Sequence, residues 1–184
     1  MGDRSIELPY IVVQVMSPIN LLLVCTCLAG AIWDLRTRRI PNWITVPALI
    51  AALVLHSYRG ALMQSLIGFV VSLCLGIPLF ALRGLGAGDV KLTAAVGAIV
   101  GWPAFVVVFV LHALLGGAAA IGLLVWKGDL KRGLRNVAYI LGELISFRAP
   151  YHGKEELDVA SPRAITLPQA PILAVAAIVY VVFV

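Results

Sequence analysis

The sequence predicts an all-α integral membrane protein, a bundle of about six transmembrane helices with an amphipathic helix between the fifth and the sixth. Three observations carry that prediction. Of 184 residues, 61% are hydrophobic and only 12% are charged, whereas soluble domains carry about a quarter charged residues. The apolar residues gather in runs whose length approaches the ~20 residues needed to cross ~30 Å of hydrocarbon. The basic residues fall almost entirely on one side of those runs, which marks that side as cytoplasmic. With so little charge there is no separate soluble domain, and residues 1–184 read as one transmembrane unit.

The first span is placed at about 11–33. Ala29, Gly30 and Ala31 resemble a signal-peptide cleavage site, but the stretch is long and Asp3 and Glu7 outnumber Arg4 at the start, so a retained span is the better reading. The segment 34–42, Asp-Leu-Arg-Thr-Arg-Arg-Ile-Pro-Asn, forms a short basic loop. Pro41 disfavours helix at Ile40, Asn42 is suited to cap the next helix, and Trp43 sits where interfacial aromatics gather. The second span follows at 43–57, closed by a turn at Tyr58, Arg59 and Gly60. The third, 61–82, carries Pro78 as a kink near its end.

A glycine-rich segment, 83–91, leads into an apolar run too long for one helix, and Gly101, Trp102 and Pro103 divide it. The fourth span is then 89–100 and the fifth 104–126. At 1.5 Å per residue the fourth reaches only about 20 Å, which predicts recessed ends. Residues 127–163 are the longest polar stretch, and within 134–147 apolar residues recur at helical spacing, which predicts an amphipathic helix, either along the interface or inserted partway to line a cavity. The last span is 167–184.

Six crossings place Arg36, Arg38, Arg39, Arg83, Lys91, Lys127, Lys131, Arg132, Arg135, Arg148, Lys154 and Arg163 on the cytoplasmic side and leave Arg4 and Arg59 opposite. So strong a bias fixes the orientation, puts the C-terminus outside the cytoplasm, and reads the net charge of +5 as topology rather than nucleic-acid binding. Cys25, Cys27 and Cys74 lie in apolar stretches far from histidines, which suits packing thiols and no metal site.

Among the acidic residues, Asp34 and Asp89 abut the ends of membrane segments on the same face. Taken singly, each suits a helix-end carboxylate, Asp34 near Arg38 and Asp89 on a helix dipole beside Lys91. Together they suit hydrolysis without a cofactor. One ionised carboxylate takes a proton from water while the other, protonated, polarises the scissile carbonyl. Gly84, Gly86 and Gly88 before Asp89 suit an extended segment along which a substrate backbone could pair. His56, His112 and His152 lie in three separate contexts and build no nucleophilic triad, and His112 reads as an interhelical packing group. A relay in a proton- or cation-coupled transporter, or a scaffold for assembly, are the competing readings of the two acids.

The segment 34–42 and the segment 86–91, Gly-Ala-Gly-Asp-Val-Lys, resemble the two aspartate motifs of the type IV prepilin peptidase family, aspartic peptidases of the bacterial inner membrane. Pro168, Gln169, Ala170 and Pro171 are similar to a proline-bearing segment of that family. The resemblance implies that Asp34 and Asp89 are the catalytic pair, with Gly86, Gly88, Lys91, Arg38, Pro41 and Asn42 lining the substrate site. It implies no cofactor or metal, and a prepilin substrate whose basic leader is cut at the cytoplasmic face. The chain lacks the paired C-x-x-C motifs of the longer, methylating branch and is more like the short branch serving Flp/Tad-type pili.

Overall fold

A computed structural model describes residues 17–81, 85–128 and 168–183. Six helices make up their secondary structure: α1 (Pro18–Thr37), α2 (Asn42–Tyr58), α3 (Leu62–Ala81), α4 (Ala87–Val100), α5 (Trp102–Trp126) and α6 (Gln169–Phe183). The amphipathic helix expected at 134–147 and the first residues of the expected span 11–33 lie outside the described residues.

Local chemistry sets each helix end. Ser17 caps α1, its Oγ accepting the Asn20 N–H at 3.2 Å, and Pro18 occupies the first turn, where its missing N–H costs nothing. The helix ends at Arg38, a left-handed residue (φ 54°) whose N–H closes on the Asp34 carbonyl at 2.9 Å. The sequence places that end at residue 33, with Asp34 in the following loop. The helix instead runs on through Thr37, because nothing breaks it before the restriction that Pro41 imposes on Ile40. Asp34 is therefore a helix residue.

At the start of α2 the sequence assigns the cap to Asn42. Pro41 takes that position instead, in extended conformation and without a side-chain bond, and Asn42 is the first helical residue. Gly101, at φ 78°, makes the sharp turn between α4 and α5 that only glycine adopts readily, and Pro103 follows in the first turn of α5.

Three helices, α1, α3 and α5, are long and apolar enough to cross a membrane, and α2 and α6 are shorter apolar helices. The molecule is apolar outside as well as in. Leu21, Val54, Met63, Val70, Leu114 and Ile121 are all exposed. Small residues turn inward instead: α3 buries Ser65, Gly68, Ser72 and Gly76 along one stripe. Close backbone approach, rather than bulk, is what joins helices when the surroundings are lipid.

Helix α4 sits at the centre, and it touches each of the other five. Leu92 through Ile99 are buried on all sides, and this stretch crosses the core. On α3, a Cβ on Gly68 would fall onto the Gly97 carbonyl oxygen, and one on Gly76 would stand 3.2 Å from Val90 Cγ1. At the far end of α4, the Ser65 hydroxyl donates to the Ala98 carbonyl at 2.7 Å, and His56 Nε2 lies 2.9 Å from the Ile99 carbonyl. These are among the last carbonyls of α4, which have no partner within their own helix.

Candidate active site

The mouth of the bundle at the start of α4 is built from three pieces: the last turn of α1, the link 38–41, and the first turn of α4. Their register is set by close contact. Leu92 lies against Gly30, where a Cβ would stand 2.9 Å from Leu92 Cδ2. One turn nearer the mouth, Gly88 lies against Ile40, where a Cβ would stand 3.1 Å from the Ile40 nitrogen. As residue numbers rise along α1 and its link they fall along α4, so the two segments run antiparallel. Asp34, one turn beyond Gly30, thereby comes level with Gly88 and Asp89. Trp33 and Trp43 brace the link with an edge-to-face contact, ring centroids 5.0 Å apart.

Asp34 is buried, 7% exposed, and its Oδ2 has no hydrogen-bond partner among the described residues. A buried carboxylate oxygen left unpaired is costly and needs an explanation in the work of the site. Asp89 is half-buried in the first turn of α4, ahead of the stretch that crosses the core. Its Oδ2 accepts the Gly86 N–H at 3.2 Å, and the Thr93 hydroxyl donates to its carbonyl at 2.7 Å. Burial pushes the Asp89 carboxyl up, the charge of Asp34 adds to the rise, and the Gly86 bond opposes it, leaving the group at about 6. The contribution of Asp34 to that rise is consistent with the register, which brings the two residues level.

The surrounding residues divide. Lys91 donates to Asn42 Oδ1 at 3.0 Å, tying α4 to α2 on the outer side of the mouth. This bond occupies the Asn42 oxygen that the sequence assigns to capping. Pro41 is half-buried at the head of α2, and Arg38 is exposed at the end of α1.

The glycines behave differently from the extended run that their alternation suggests. Gly84 lies outside the described residues. Gly86 is extended (φ −78°, ψ 153°), but its N–H is bonded to Asp89 and its carbonyl accepts the Val90 N–H at 3.2 Å. Gly88 is helical, and its missing side chain serves the close approach of Ile40. An aspartate three residues after Gly86 is what ends the strand-like stretch, because its carboxylate captures the N–H that a strand would offer. Sequence reasoning missed Gly30, Ile40 and Leu92, which set the register. The one available signal was Gly30, the single glycine of its helix, one turn before Asp34.

Two acidic side chains from separate helices, one with an unpaired buried oxygen and one raised to about 6, form a candidate carboxylate-pair site at one end of a helical bundle. The pattern of the type IV leader peptidase family matches residues 21–121, and the chain belongs to that family. Among curated proteins it is similar to a prepilin leader peptidase/N-methyltransferase of Burkholderia pseudomallei (34% identical over 120 residues, 59% of this chain and 38% of the relative). A protein of the same description from Aeromonas hydrophila is 33% identical over 116 residues, 58% of this chain and 40% of the relative. The preflagellin peptidase of Methanocaldococcus jannaschii is 34% identical over 80 residues, 40% of this chain and 34% of the relative. The chain thus spans about four-tenths of the length of the curated relatives it matches. No solved structure matches it.

Proposed function

We propose that this chain is a membrane-embedded aspartic endopeptidase that removes the basic leader of Flp-like prepilins at the cytoplasmic face of the inner membrane. The observation that carries the reading is the pairing of Asp89, raised to about 6 by burial and by Asp34, with the unpartnered buried oxygen of Asp34. Family membership supports the class of reaction, and the names of the relatives supply the substrate class.

In this reading the pair holds one proton between two carboxylates and titrates as a unit. The ionised member takes a proton from a water molecule, and the resulting hydroxide adds to the scissile carbonyl carbon. The protonated member gives its proton to the carbonyl oxygen as the bond forms. Collapse of the tetrahedral diol breaks the C–N bond: the departing amine takes a proton from the carboxyl that gained one from water, and a diol hydroxyl returns its proton to the other carboxylate, so the pair again holds one proton. Gly86 keeps a side chain away from the Asp89 carboxylate and Gly88 lets Ile40 pack closely, while Arg38, Pro41, Asn42 and Lys91 form the rim of the mouth. The six helices cross as a bundle, with α4 recessed and the C-terminus on the periplasmic side, which puts the basic link 38–41 in the cytoplasm.

The competing reading as a transporter relay calls for acids near the bilayer midplane, and Asp34 and Asp89 instead stand at one end of the bundle. Co-expression with a Flp-like prepilin tests the proposal. Wild type shortens the precursor by its leader, and Asp34→Asn or Asp89→Asn leaves it full-length at equal membrane abundance. Processing by both variants at the wild-type rate rejects it in favour of a scaffold.

A further inference from the structure

A cavity lies on the outer side of α4, in the seam between α2, α3 and α4. It holds about 280 Å³, and its lining includes Asn42, Thr45, Leu49, Phe69, Leu73 and Lys91. The lining is ordered. Asn42 and the Lys91 ammonium, joined at 3.0 Å and exposed, stand at the end that faces the mouth of the bundle. Leu49 lies two turns further along α2, about 10 Å away along the helix axis, and Phe69 and Leu73 wall the same region from α3.

Ala94 and Ala95 of α4 also line the cavity, and they leave it open because neither side chain extends beyond Cβ. Its outer edge is Val46, 48% exposed, so the seam opens sideways toward whatever surrounds the bundle. A gap with apolar walls does not hold water stably, and leaving it empty forfeits the dispersion contacts of its lining. The solvent beside an apolar helix face in a membrane is lipid. An α-helix with its side chains is about 10–12 Å across, too wide for this volume, whereas a single extended hydrocarbon chain fits.

The polar end selects the headgroup. An ammonium carries three donors, and Asn42 engages one of them. Asn42 also offers its amide N–H₂, and Arg36, Arg38 and Arg39 place further positive charge on the adjoining turn and link. Basic groups at the cytoplasmic boundary favour anionic lipid. We propose that the α2–α3–α4 seam is a binding site for an anionic phospholipid, with one acyl chain between Leu49, Phe69 and Leu73 and its phosphate on Lys91 and Asn42. This site shares Lys91 and Asn42 with the rim of the mouth but includes neither Asp34 nor Asp89, and it does not depend on the proteolytic reading.

The test uses the full chain purified in detergent and titrated with phosphatidylglycerol, phosphatidylcholine or soluble glycerol phosphate, with bound lipid counted by native mass spectrometry. Wild type binds phosphatidylglycerol at least about tenfold more tightly than phosphatidylcholine, a difference near 1.4 kcal/mol, and glycerol phosphate does not compete. Lys91→Gln brings the two lipids to equal affinity. Ala94→Leu, which fills the seam, weakens both at least about tenfold. Val46→Trp covers the opening from an exposed position, does the same, and tests the site if Ala94→Leu fails to fold. Equal affinity of wild type for both lipids overturns the headgroup assignment. Undiminished binding by folded Val46→Trp overturns the acyl-chain site, as does full competition by glycerol phosphate.

Discussion

Leu92 of α4 rests against Gly30 of α1 so closely that a Cβ on Gly30 would stand 2.9 Å from its Cδ2. This contact fixes the level of the two helices, and one turn toward the mouth the same register brings Asp34 beside Gly88 and Asp89. The atom in the way is the end of a flexible side chain. Gly30→Ala is therefore expected to fold with a loss of about 1 kcal/mol or less, as Leu92 changes rotamer. Gly30→Leu pushes the helices apart and is expected to cut precursor cleavage far more than it lowers the melting temperature. Parallel loss of both would show that the contact serves stability alone.

The catalytic assignment predicts that Asp34→Asn and Asp89→Asn each lower cleavage by at least about 10³-fold, in the upper part of the range for general acid–base groups. An amide is close to a carboxyl in size, so membrane abundance should stay near wild type and neither variant should melt below it. Gel shift of a co-expressed precursor and a thermal melt in detergent measure the two separately. A variant that cleaves at one-tenth of the wild-type rate would remove that residue from the chemistry.

Asp89 also predicts a pH dependence of stability. Its carboxyl is raised from 3.8 to about 6 in the folded protein, through burial first and Asp34 second. The folded state therefore holds the proton more tightly than the unfolded one, and ionisation costs stability. That cost is absent below the unfolded value, grows as pH rises toward about 6, and is complete above it. Asp89→Asn removes the titration while keeping an oxygen for the Gly86 N–H. It should match wild type near about pH 3.5 and exceed it by on the order of 2 kcal/mol near about pH 8. A difference independent of pH would contradict the assignment.

Two glycines, one at the crossing of α3 and α4 and one on the open face of α5, predict opposite outcomes. A Cβ on Gly97 would meet the Gly68 carbonyl oxygen and stand 2.7 Å from Ser72 Oγ, whereas one on Gly117 would meet nothing within 4 Å. Gly97→Ala must move backbone, and it should cost about 3 kcal/mol, the upper end of overpacking losses. Gly117→Ala removes a flexible residue from the interior of α5 and should be neutral or stabilising by about 0.5–1 kcal/mol. Melting temperatures in one detergent decide between them.

At the other end of α4, Ser65→Ala leaves the Ala98 carbonyl without its 2.7 Å partner. The loss should be about 1–3 kcal/mol, the cost of an unsatisfied buried acceptor. Cleavage per folded molecule should not change, because Ser65 lies at the opposite end of α4 from Asp89. Reduced cleavage at full stability would show that this end communicates with the mouth.

Features written into single residues were legible from the chain alone. Pro41 bars helix at Ile40 whatever surrounds it, Gly101 permits a turn at φ 78°, and the scarcity of charge announces an apolar exterior. The two aspartates were legible for the same reason: few acids remain, and these two adjoin apolar runs. The end of α1 was misjudged because hydropathy falls at Asp34 while the backbone has no cause to stop there. The glycines before Asp89 were read as a strand because alternation is a local pattern, and the Asp89 carboxylate that takes the Gly86 N–H belongs to the next turn of chain.

By itself, then, the sequence determined where helices can begin and break, and which side chains carry charge at their ends. Only the tertiary structure decided that the shortest of the six helices is the central one. It also decided that Gly30 and Gly88 present bare backbone to Leu92 and Ile40, and that Asp34 comes level with Asp89. The physical reason is range. Torsional limits and hydrophobicity act within a residue or a turn, whereas the level of one helix against another is fixed by side chains dozens of positions apart, whose contact no local pattern records.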